Sequence, residues 1–145
     1  MDREKENQIE LNSIDIVVPI PRNTVQVDIE ARIFIDGEVH SAIRTLDFQE
    51  VSEGFFNAES GYFPPEDEEL PNYKTWFAVE IPDISISVTL KATVYENGEV
   101  KVLEYEYPPS ELRKLIRDAE ENYISPDAIF ALTEKGRVLT EELGL

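Results

Sequence analysis

Two stretches of the chain alternate apolar and polar residues with a period of two, and each runs into a turn signal. In the first, Val25, Val27, Ile29, Ala31, Ile33 and Ile35 alternate with Gln26, Asp28, Glu30 and Arg32; Asp36-Gly37 then turns the chain and residues 38–48 return. In the second, Ile84, Ile86, Val88, Leu90, Ala92 and Val94 alternate with Ser85, Ser87, Thr89, Lys91 and Thr93; Asn97-Gly98 turns it and residues 100–107 return. A period of two places successive side chains on opposite faces of a strand. Asp-Gly and Asn-Gly supply the positive φ angles of tight hairpin turns, so the pattern predicts two β-hairpins, each with one apolar face to bury against the other or against helices. A shift of 61 residues lays Val25 on Ile86, Ile29 on Leu90, Phe34 on Tyr95, Gly37 on Gly98 and Val39 on Val100. An internal duplication gives such a match, and so do two hairpins obeying one alternation rule; the second is the more economical, because period-two patterns align cheaply.

Two more strands are expected. Residues 13–20 are rich in β-branched side chains and end at Pro19 and Pro21, which suits a sheet edge. Residues 73–81 carry Trp76, Phe77, Val79 and Ile81 and stop at Pro82. Helix enters after Pro108-Pro109, where Ser110 is a natural N-cap and Leu112, Leu115, Ile116, Ala119 and Tyr123 recur at helical spacing. Ser125-Pro126-Asp127 is a second start signal, followed by residues 128–132 and a last helix over 134–143 capped by Thr133. Strands first and helices last predict an α+β domain: an antiparallel assembly of two hairpins and flanking strands, with C-terminal helices packed on it. The expected layout is one domain over 1–145, with a polar tail over 1–12, a β-rich part over 13–109 and a helical tail over 110–145.

Between the hairpins, residues 45–73 read as an acidic aromatic loop. Asp47, Glu50, Glu53, Glu59, Glu66, Asp67, Glu68 and Glu69 face no Lys or Arg within the segment, while Phe48, Phe55, Phe56, Tyr62, Phe63 and Tyr73 lie among them. Gly54, Gly61, Pro64, Pro65 and Pro71 argue against regular structure. Loops of this length are commonly functional.

Charge sharpens the picture. The 145-residue chain holds 31 acidic and 13 basic residues, a net charge of −18. Such a surface repels nucleic-acid phosphates and anionic membranes and attracts basic partners. Direct nucleic-acid or membrane binding is therefore not expected. No signal peptide or apolar run of membrane-spanning length is seen, which leads to the expectation of a cytoplasmic protein. With no cysteine, disulfides and thiol chemistry are excluded.

Nothing in the motifs calls for catalysis, a cofactor or a metal. His40 is the lone histidine and falls on a strand, and no nucleophile elbow, phosphate loop, dinucleotide fingerprint or calcium loop is present. Paired carboxylates could still serve a small hydrolase, although no pair stands out. Leu132-Thr133-Glu134-Lys135-Gly136-Arg137-Val138-Leu139 resembles the wing-to-helix segment of winged-helix transcription regulators over about a tenth of the chain. In that family a recognition helix and a basic wing precede the segment; here a hairpin and an acidic-to-neutral helix do. The expectation is a non-enzymatic binding protein for a basic protein partner. Carboxylates would steer that partner and aromatics anchor it, through Glu50, Glu53, Phe55, Phe56, Glu59, Tyr62, Phe63, Glu66, Asp67, Glu68 and Glu69. A sharper version is a nucleic-acid-mimicking inhibitor of a DNA- or RNA-handling enzyme.

Overall fold

A computed structural model describes residues 12–65 and 69–126. The expected elements beyond 126, and the segment resembling a winged helix, lie outside the described residues. Those described form six strands and two helices: β1 (Ser13–Pro21), β2 (Thr24–Ile35), β3 (Glu38–Leu46), α1 (Phe48–Gly61), β4 (Lys74–Pro82), β5 (Ser85–Glu96), β6 (Glu99–Tyr107) and α2 (Pro109–Asn122). The class is α+β. Both hairpins form, with Asp36, Gly37, Asn97 and Gly98 at positive φ in their turns.

The hairpins do not stack face to face. They join edge to edge through β2 and β5 into a four-stranded antiparallel sheet of order β3-β2-β5-β6, while β1 and β4 pair as a separate two-stranded ribbon. The inward face of the sheet (Val27, Ile29, Ala31, Val88 and Leu90) packs on one face of the ribbon (Ile16, Val18, Ile20, Phe77, Val79 and Ile81), with Val51 of α1 and Leu112 of α2 joining the same core. The α1 helix packs chiefly against β4 and α2 against β1. A smaller cluster of Val17, Ala78, Ala58 and Tyr62 covers the other face of the ribbon.

The 61-residue shift reaches far beyond the hairpins. Each half is a strand of 9 residues, a strand of 12, a strand of 9 and a helix of 14, in the same order and without insertion. The pairing obeys the same rule: Ser13 pairs with Pro82 as Pro21 does with Lys74, and Val17/Ala78, Ile29/Leu90 and Tyr62/Tyr123 are each paired with their own equivalents. Even local hydrogen bonds repeat. Thr24 Oγ1 donates to Pro21 O at 2.7 Å and Ser85 Oγ to Pro82 O at 2.6 Å; Arg22 N donates to Tyr73 O and Asp83 N to Asn12 O, both at 2.8 Å. Strand alternation cannot produce this, since Pro21/Pro82, Ala58/Ala119 and Tyr62/Tyr123 match outside any alternating run. The described residues form a quasi-twofold repeat of one βββα unit, and the more economical explanation by alternation fails.

The largest departure from expectation is α1, which occupies half of the supposed loop. Asp47 and Glu50 form a reciprocal capping box: Asp47 Oδ1 accepts from Glu50 N at 2.9 Å, and Asp47 N donates to Glu50 Oε1 at 3.3 Å. Two orphan donors of the first turn are thereby satisfied. Gly54 sits in the helix not to break it but to let it approach β4. A methyl group there would overlap the Phe77 ring and come within 2.8 Å of Ala78 O. At α2 the expected Ser110 cap is also corrected. Pro108 occupies the cap position without a side-chain bond, and Pro109 is the first helical residue, where its missing N–H needs no partner.

Candidate functional site

The site follows from how α1 divides its residues. Val51, Gly54, Ala58 and Gly61 face inward and are buried. Phe55 is half-buried, its ring edge-on to Phe77 at 5.3 Å, and Tyr62 is buried with its ring 5.0 Å from Trp76. These two expected contact residues are therefore spoken for by the core. The helical period explains it, because 51, 55, 58 and 62 fall on one face.

The opposite face is different. Phe48 is 64% and Phe56 67% exposed, and Ser52, Glu53, Glu59 and Ser60 are exposed around them. Phe63, just beyond the helix, is 68% exposed. Covering the sheet does not account for these rings. Glu50 is held from two sides, by the cap and by Arg44, whose Nη2 lies 3.1 Å from Glu50 Oε2. Glu50 is thus tied to the helix start, and the exposed acids of the helix are Glu53, which accepts from Gln49 Nε2 at 3.5 Å, and Glu59. Phe48 was not among the expected site residues; the capping box at Asp47 is the signal that would have placed it at the start of a helix, facing out.

Glu69 is exposed in a groove with Val17, Pro19, Tyr62, Leu70, Trp76, Lys114, Leu115 and Asp118, beside α2 rather than α1. Glu66, Asp67 and Glu68 lie outside the described residues. On the other side of the Tyr62–Tyr123 seam the equivalent groove is lined by Asp15, Arg44, Glu50, Glu53 and Glu80. None of those carboxylates is buried; Thr24 is the one buried polar side chain among the described residues. Among these residues no group of three or more His, Cys, Asp or Glu is arranged to hold a metal ion, and no helix is long and apolar enough to cross a membrane.

No protein-family model, curated protein or solved structure matches the chain.

The molecule supplies its own comparison. Positions equivalent by the twofold lie in elements of the same length and order, so a difference between them at an exposed position is one the repeated fold does not demand. Where α1 presents Phe48, Ser52, Glu53 and Phe56, α2 presents Pro109, Arg113, Lys114 and Arg117. The inward positions, by contrast, stay apolar: Val51/Leu112, Phe55/Ile116 and Ala58/Ala119. The sheet's outward face is mixed in charge, and near the hairpin turns and on β3 it also exposes apolar side chains, among them Phe34, Val39, Ile43, Tyr95 and Val100. Thr45 donates to Asp28 at 2.7 Å, Ser41 donates to Glu30 at 2.9 Å, and Lys91 stands opposite Glu104 in the register.

Proposed function

We propose that this is a non-enzymatic acidic binding protein that engages a basic protein partner through the outer face of α1. The observation in support is the contrast between equivalent helix faces. One scaffold carries an aromatic, acidic face on α1 and an arginine-bearing face on α2, so the exposed Phe48 and Phe56 are not needed to fold it. Exposed aromatics forgo the favourable free energy of leaving water unless something covers them, and buried aromatic anchors dominate binding energies. Around them, Glu53 and Glu59 set the sign of the local field. With a Debye length of ~8 Å at physiological salt, nearby charges act and distant ones are screened.

The test is capture of partners by the wild-type chain at low and high salt, repeated with Phe48→Ala/Phe56→Ala and with Glu53→Gln/Glu59→Gln. The Phe pair should abolish capture at any salt, and the Gln pair should slow association and flatten its salt dependence. Capture that survives all four substitutions removes the proposal. Competitor DNA in the same experiment asks whether the captured protein is held at its nucleic-acid site, as a mimic of nucleic acid would hold it.

A further inference from the structure

We infer that the α1 face receives a basic amphipathic helix of the partner, laid across it in ridge-into-groove packing. This rests on the proposed function and names the partner's shape. Helices pack by interlocking rows of side chains spaced four residues apart. On α1 the outermost such row is Phe48, Ser52, Phe56 and Ser60, all exposed. Large and small side chains alternate along it. The small positions are true gaps, since Ser52 turns its hydroxyl back to donate to Phe48 O at 2.9 Å. A row of knobs separated by gaps is what one helix offers another. No described element of this chain fills it.

The flanking rows fix the partner's chemistry. Gln49 and Glu53 border the ridge on one side and Glu59 on the other, with no basic residue in the helix. A partner helix with an apolar stripe over the phenyl rings and Lys or Arg along the stripe's margins matches both. An extended segment fits poorly, because a convex helix face offers no backbone groups to satisfy a strand's N–H and C=O. On the equivalent row of α2, Pro109, Arg113, Arg117 and Glu121 offer neither the apolar knobs nor the gaps.

The experiment is calorimetric titration of the full chain with three probes. The first is an 18-residue helical peptide with leucines on one face and arginines on its margins. The second has the same composition with two central prolines, and the third is nona-arginine. The helical peptide should bind at least about tenfold more tightly than either of the others. Phe48→Ala and Phe56→Ala should each weaken it about tenfold or more, and Ser52→Leu, which fills a gap, should weaken it while leaving nona-arginine unaffected. If all three peptides bind alike, and only Glu53→Gln/Glu59→Gln reduces binding, the helical partner is wrong while a basic partner stands. If none binds, both fall. A second copy covering the ridge would appear as a concentration-dependent mass in sedimentation without peptide, and would also overturn the inference.

Discussion

Gly54 and its equivalent Leu115 show how one residue sets the distance between helix and ribbon. Glycine inside a helix costs about 1 kcal/mol relative to alanine, yet here Gly54→Ala should destabilise. Its methyl meets the Phe77 ring and the Ala78 carbonyl, and overpacking of this kind costs about 1–3 kcal/mol. Urea denaturation should therefore show a lower midpoint for Gly54→Ala, against propensity. Leu112→Ala, at a site only 1% exposed, should cost about 2–5 kcal/mol. Tyr107, equivalent to the buried Leu46, adds a pH dependence. Burial first, and then Tyr105 and Glu111 nearby, push its hydroxyl above the ordinary tyrosine range. The folded state keeps this proton longer than the unfolded chain does. Stability is thus intact below the usual tyrosine pKa of about 10 and declines as pH rises past it. Tyr107→Phe should flatten that alkaline decline in urea midpoints measured from about pH 8 to 11.

At the scale of elements, the two helices reach the same place with different starts. Asp47→Ala removes half of the capping box and should cost about 1 kcal/mol, whereas Ser110→Ala should leave the denaturation midpoint within about 0.5 kcal/mol of wild type. The strands were legible in the sequence because alternation and Asp-Gly or Asn-Gly turns are local signals. The first helix was not, although Asp47-Phe48-Gln49-Glu50 announces it. Gly54 and Gly61 read as breakers, and the reasons for them lie in contacts distant in sequence: Phe77 for one and the Ile124 carbonyl for the other. The sorting of the rings was hidden for the same reason. Once the segment is a helix, Phe55 and Tyr62 turn inward and Phe48 and Phe56 turn out; in a loop no such division can be drawn.

The whole molecule joins two equivalent units along three paired positions: Ile29/Leu90 in the sheet, Val17/Ala78 in the ribbon and Tyr62/Tyr123 between the helices. The sequence hinted at this repeat in its hairpins, but the matching strand and helix that complete each unit became evident only with the pairing. A core shared across the quasi-twofold should unfold as one cooperative transition. Tyr62→Ala, which strips a ring seated on Trp76, should lower stability by about 3–5 kcal/mol. The repeat also allows a direct test of the proposal that the α1 face serves binding and not folding. Ser52→Arg/Glu53→Lys/Phe56→Arg gives α1 the residues that α2 carries at the equivalent positions, on a backbone already known to accommodate them. Melting temperature and partner binding are measured together on this triple variant. Binding should be lost at an unchanged melting temperature; a variant that unfolds, or that binds its partner as the wild type does, would show that the α1 face is not a dedicated binding surface.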